Sequence, residues 1–121
     1  MRILFVDDSK AVHAFFKHVF TKEKYECQDA YSGEEALDLI LKTPNGYFDV
    51  IFMDWEMTGM TGLETLKSLR AAKRSEKIFM LTSKNRVNNI EEALAAGAND
   101  YLMKPITSEI LLSKIQNHLV G

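Results

Sequence analysis

The stretch Phe48-Asp49-Val50-Ile51-Phe52-Met53-Asp54-Trp55-Glu56-Met57 decides how the rest of the chain is read. Four apolar residues in a row, Val50 to Met53, are bounded by Asp49 and Asp54. A short apolar run closed by acids at both ends predicts a strand buried on both faces. Asp54 then falls at the carboxyl end of that strand, where open α/β sheets bind their ligands.

Working outward, Ile3 to Val6 forms a similar apolar run ended by Asp7-Asp8-Ser9. Beyond it Ala11, Val12, Phe15, Phe16, Val19 and Phe20 recur at helical spacing and predict a first helix from Lys10. Tyr25 to Ala30 has the mixed polarity that suits an edge strand, and Ser32-Gly33-Glu34-Glu35 has the capping-box spacing. That box opens a helix expected to turn Ala36, Leu37, Ile40 and Leu41 inward. A second such box, Thr61-Gly62-Leu63-Glu64, follows the loop after Trp55, with Leu63, Leu66 and Leu69 on the buried side of its helix. Ile78 to Leu81 predicts a fourth strand, closed by Thr82-Ser83. A fourth helix carries Ile90, Ala93 and Leu94 and ends near Gly97, a residue suited to a left-handed cap. Tyr101-Leu102-Met103 makes a fifth strand ended by Lys104-Pro105, and a last helix from about Thr107 packs through Leu111, Leu112, Ile115 and Leu119. Strict alternation of strand and helix implies a parallel sheet covered on both faces. The fold class expected is α/β, flavodoxin-like (βα)5, with strand order 2-1-3-4-5 and residues 1–121 as one domain.

Composition narrows the function classes. The net charge of −2, with 46% apolar and 26% charged residues, suits an ordinary globular chain and argues against nucleic-acid or membrane-surface binding. One cysteine, Cys27, cannot make an internal disulfide, and no signal peptide or transmembrane run stands out, so a cytoplasmic setting is expected. His13, His18 and His118 fall on the first and last helices, are expected partly exposed, and have no metal-ligand spacing.

A parallel sheet gathers its carboxyl ends on one edge, which brings together Asp7, Asp8, Asp54, Thr82 and Lys104. Two carboxylates about 5 Å apart repel by roughly 3 kcal/mol at an effective dielectric near 20. Three acids in one crevice therefore need positive charge, supplied by Lys104 and by a hard divalent cation. Oxygen-only ligands point to Mg²⁺, with Mn²⁺ as a substitute. The chain lacks GxxxxGK[ST] and GxGxxG, so it has no sequence device for gripping a nucleotide. Such a site is suited to receiving a phosphoryl group on a carboxylate, with Asp54 the natural nucleophile.

Asp7-Asp8, Asp54, Thr82, Tyr101 and Lys104-Pro105, with Gly62-Leu63-Glu64 and Ala95-Ala96-Gly97-Ala98, occur together in this order. In this the chain resembles the response-regulator receiver domain of two-component signalling, over nearly its whole length. The resemblance implies that Asp54 takes a phosphoryl group from the phosphohistidine of a histidine kinase, with Thr82 and Lys104 contacting that group. It implies Mg²⁺ ligation by Asp8, Asp54 and the main-chain carbonyl of Glu56, with Asp7 acting through water. It also implies a switch pair, Thr82 and Tyr101, and a cis Lys104-Pro105 bond. The signal is then expected to leave through helix 4, strand 5 and helix 5 by protein contact, in a monomer that turns over no metabolite.

With no further domain expected after residue 121, two targets fit: a motor switch protein in chemotaxis, or a histidine phosphotransfer protein in a phosphorelay. Trp55 and Tyr101 lean toward the chemotaxis type. An aspartate-nucleophile phosphatase lacks its Asp-x-Asp motif here, and a phosphorylation-independent interaction module would not need the intact site. The chain departs from the pattern at Thr58, where proline is usual and where the loop is expected to be less rigid. It departs again at Ser83, where alanine is usual. Glu56 and Lys84 are expected to pair across the site and lengthen the life of the phosphoryl state.

Overall fold

In the computed structural model, which describes residues 1–83 and 89–119, five strands and five helices alternate. They are β1 (Arg2–Val6), α1 (Lys10–Lys22), β2 (Glu26–Ala30), α2 (Gly33–Leu41) and β3 (Val50–Asp54). Then come α3 (Gly62–Ala71), β4 (Lys77–Thr82), α4 (Ile90–Ala95), β5 (Asp100–Met103) and α5 (Ser108–Leu119). All neighbouring strands pair parallel in the order β2-β1-β3-β4-β5, as the alternation predicts.

The pleat divides the apolar residues between two cores. Ile3, Phe5, Val50, Phe52, Phe79 and Leu81 face one side, where they meet Phe16, Val19 and Phe20 of α1 and Leu111 and Ile115 of α5. Leu4, Val6, Ile51, Met53, Ile78 and Met80 face the other, against Ala36 and Ile40 of α2, Leu66 and Leu69 of α3 and Ala93 of α4. This two-sided burial is why β1, β3 and β4 read as unbroken apolar runs, while β2 at the edge alternates.

The helix starts follow side-chain capping. Ser9 caps α1 by accepting from the Val12 N–H, and Thr61 with Glu64 forms the full reciprocal box on α3. The box at Ser32 is only half made: Ser32 accepts from Glu35 N–H, but the Glu35 carboxylate accepts from Tyr31 N–H instead of Ser32. At the end of α4, Gly97 at φ +111° lets its N–H reach the Leu94 carbonyl and the Ala98 N–H reach Ala93, the two bonds of a Schellman cap.

Three expected placements are corrected. Leu41 is 51% exposed, because the inward stripe of α2 runs Gly33, Ala36, Ile40 and leaves the next residue a hundred degrees round. Ala11 is exposed, at the edge of the α1 stripe. His13 is buried, at 2% exposure, in the middle of the α1 stripe with Phe16 and Phe20. The expected packing of Leu119 lies outside the described side chains.

Candidate functional site

Strand register builds the site before any side chain is considered. Val6 stands opposite Met53 and Asp54 opposite Leu81, so Asp7 and Asp54 leave neighbouring strands at nearly the same height. Met103 stands opposite Thr82, which delivers Lys104 one residue later at the same edge. The residue after Asp7 starts a tight turn: Asp7 Oδ1 accepts from the Ser9 N–H at 2.8 Å, and α1 begins at once. On the far side of β3, the Gly62 N–H bonds the Trp55 carbonyl at 2.8 Å. A Cβ on Gly62 would lie 2.1 Å from the Asp54 carbonyl oxygen, so only glycine lets α3 start this close to the strand end.

Asp7, Asp8, Ser9, Asp54, Trp55, Glu56, Leu81, Ser83 and Lys104 line the resulting pocket. Carboxylate oxygens of Asp7, Asp8 and Asp54 lie within 4.8 Å of one another. The Lys104 ammonium is 2.9 Å from Asp54 Oδ1 and 3.4 Å from Asp7 Oδ2. Asp7 and Asp54 are buried and Asp8 is exposed, so the pocket has a deep charged floor and an acidic lip. Burial pushes the Asp54 carboxyl up to about 6, helped by the charges of Asp7 and Asp8 and opposed by Lys104. Burial alone would lower the Lys104 ammonium, but its bond to Asp54 and the charge of Asp7 hold it above its ordinary value. The Lys104-Pro105 peptide is cis.

An all-oxygen donor set of three clustered carboxylates, with no His or Cys among them, fits a hard divalent cation of the Mg²⁺ type. Three carboxylates within 4.8 Å of one another carry more negative charge than Lys104 alone offsets. The donor set and its excess negative charge are thus what such an ion requires.

Five of the expected residues meet around the pocket: Asp7, Asp8, Asp54, Glu56 and Lys104. Thr82 is buried beside it without lining it, and its hydroxyl donates to the Ser83 carbonyl at 3.3 Å. Tyr101 also stands off the pocket, half-buried, with the Lys114 ammonium 5.6 Å from its ring centre. Lys84 lies outside the described residues, and with it the expected pairing to Glu56. Two contacts went unread in the sequence. Thr58 donates to Asp8 through both its N–H and its hydroxyl. His13 faces the Asp7 carbonyl with Nε2 at 2.6 Å and Asp29 Oδ2 with Nδ1 at 3.0 Å, and stacks on Tyr31. The helical spacing of His13 with Phe16 and Phe20 was the available signal for its burial.

A strand-edge pocket of three acids and a lysine thus sits on a parallel sheet of order β2-β1-β3-β4-β5. The model of the response regulator receiver domain matches residues 3–116, so the chain belongs to that family. It is 36% identical to the chemotaxis protein CheY homolog of Campylobacter jejuni, over 98% of this chain and 92% of that one. It is 34% identical to the chemotaxis protein CheY of Pseudomonas aeruginosa, over 96% and 94%. Among solved structures, chemotaxis protein CheY4 of Vibrio cholerae superposes with a TM-score of 0.88 at 35% identity, covering 98% of each chain. Receiver domains are signalling switches, and this chain is a CheY-like receiver. Among the described residues no helix is long and apolar enough to cross a membrane.

Proposed function

We propose that the chain is a cytoplasmic, monomeric response regulator of the chemotaxis type, phosphorylated on Asp54 by a histidine kinase. The observation that carries this reading is the Asp54–Lys104 pair at 2.9 Å, set beside Asp7 and Asp8 in an open pocket. A carboxylate oxygen of Asp54 attacks phosphorus, forming an O–P bond as the P–N bond of the donor's phosphohistidine breaks. The electron pair of that bond leaves on the imidazole nitrogen. Lys104, already aimed between Asp54 and Asp7, neutralises a phosphoryl oxygen. Asp8, Asp54 and the Glu56 carbonyl would hold Mg²⁺, with Asp7 through water; the ion supplies the positive charge that lets the acids and a phosphoryl group share one pocket.

The Thr82 hydroxyl then leaves its bond to the Ser83 carbonyl for a phosphoryl oxygen, and Tyr101 turns inward behind it. Both changes alter the surface of α4, β5 and α5, which meets the target. The names of the relatives and the Trp55 and Tyr101 pair support a motor switch protein as that target, over a histidine phosphotransfer protein.

Incubation with Mg²⁺ and a small phosphodonor such as acetyl phosphate tests the reading. A phosphoacceptor switch gives one alkali-labile phosphoryl group per chain, absent from Asp54→Asn. Continuous release of inorganic phosphate at enzymatic rates identifies a phosphatase, and no modification at all leaves only an interaction module.

A further inference from the structure

Asp7 and Asp54 are buried and share Lys104, whereas Asp8 stands exposed at the lip. A carboxylate on an exposed turn is free to rotate, and rotation costs affinity when the group has to ligate an ion. What meets Asp8 here is the loop after β3. Its Oδ2 accepts from the Thr58 N–H at 3.3 Å and from the Thr58 hydroxyl at 3.5 Å. The loop is itself fixed on both sides of that contact. The Met60 N–H donates to Glu34 Oε1 at 3.3 Å, and the Gly62 N–H to the Trp55 carbonyl. Thr58 is therefore presented to Asp8 by an anchored segment, and both of its donors converge on one oxygen.

We propose that Thr58 is a positioning residue for the metal site: by binding Oδ2 of Asp8 it orients Oδ1 for the cation. Proline at this position has neither donor, so the substitution that distinguishes this chain adds an outer partner for a ligand. Such outer hydrogen bonds orient ligating groups, and losing one typically costs about 10–100-fold in metal affinity. The two bonds are long and the acid is exposed, which sets the expectation at the low end of that range. The inference rests on the proposed Mg²⁺ site.

Titration calorimetry with MgCl₂ alone, on wild type and on Thr58→Pro, Thr58→Val and Thr58→Ser, tests it. Thr58→Val keeps the N–H, loses the hydroxyl and is expected to bind about tenfold more weakly; Thr58→Pro loses both donors and is expected to bind more weakly still. Thr58→Ser restores the hydroxyl and returns affinity toward wild type. Urea midpoints measured alongside separate this role from a structural one, which moves the midpoint and leaves the dissociation constant alone. If wild type binds Mg²⁺ and the proline and valine variants bind equally well or more tightly, the positioning role is wrong. If wild type binds no Mg²⁺, the metal reading itself falls and the inference with it. Should Thr58→Pro not fold, the valine and serine pair decides by the same criterion.

Discussion

Replacing Asp54 with asparagine removes the proposed nucleophile and, in the metal-free protein, should make the fold more stable. Burial together with Asp7 and Asp8 raises the Asp54 carboxyl from 3.8 to about 6. A rise of roughly 2 units at about 1.4 kcal/mol each means that ionised Asp54 destabilises the native state by roughly 3 kcal/mol. That figure is already net of the Lys104 attraction, which opposes the shift, and Lys104 keeps Asp7 at 3.4 Å after the substitution, so a gain of about 2–3 kcal/mol is expected. The sign follows from proton binding. Between pH 3.8 and 6 the native state holds the Asp54 proton more firmly than the unfolded chain does, so wild-type stability falls as pH rises. The advantage of Asp54→Asn is thus absent below about pH 4, grows toward pH 6, and is constant above it. Urea unfolding followed by far-UV circular dichroism, in EDTA at pH 5 and pH 8, measures both points. Saturating Mg²⁺ should favour wild type, since a cation at a hundred times its dissociation constant adds about 2.7 kcal/mol to the state that binds it. An asparagine variant no more stable than wild type at pH 8, or equally stabilised at both pH values, refutes the reasoning.

At the opposite end of the sheet Arg74 and Glu76 form a buried pair, and Arg74 also donates to the carbonyls of Ile40, Thr43 and Pro44. Arg74→Met should cost about 3–5 kcal/mol in urea unfolding, because it leaves a buried carboxylate without its charged partner and takes from the Thr43 carbonyl the Arg74 donor, while the Ile40 and Pro44 carbonyls keep the N–H groups of Thr43 and Tyr47. Burial alone would raise the Glu76 carboxyl, but Arg74 and the Gly46 N–H hold it below its ordinary 4.5. Glu76→Gln is therefore destabilising near pH 7, and its penalty should shrink as pH falls through and below about 4, measured over the same series. Lys73 ends α3 at φ +62°, in the left-handed region, with its N–H on the Arg70 carbonyl. Lys73→Gly should raise stability by roughly 0.5–1 kcal/mol, read as a shift in urea midpoint at constant slope. Trp55 lines the pocket next to Asp54, so Mg²⁺ should change its emission, and an unchanged spectrum at saturation would place the cation elsewhere.

The fold was legible because β1, β3 and β4 are buried on both faces, a condition that writes itself into sequence as unbroken apolar runs. The site was legible for a related reason. Asp7 and Asp54 directly follow such runs and Lys104 follows the short β5, and a parallel sheet brings strand ends to one edge whatever the helices between them do. Thr82 shared this signal yet does not line the pocket, because a strand-end position fixes height along the sheet and not which way a side chain turns; Tyr101, inside β5 opposite Met80, had no such signal. The Arg74–Glu76 clasp had no signal, since its partners' carbonyls come from a turn thirty residues upstream.

His13 shows why helix-face reading fails at polar residues. Counting only apolar side chains places the α1 stripe on Ala11, Val12, Phe15, Phe16, Val19 and Phe20 and leaves the histidine partly exposed. The centre of burial is instead His13, Phe16 and Phe20, and what makes that affordable is that each ring nitrogen faces a polar partner, Asp29 and the Asp7 carbonyl. The second of those acceptors is the main chain of a pocket acid. The same bond that lets a histidine enter the core therefore fixes the turn on which Asp7 and Asp8 are carried, and α1 packing and acid placement are one structural requirement, not two.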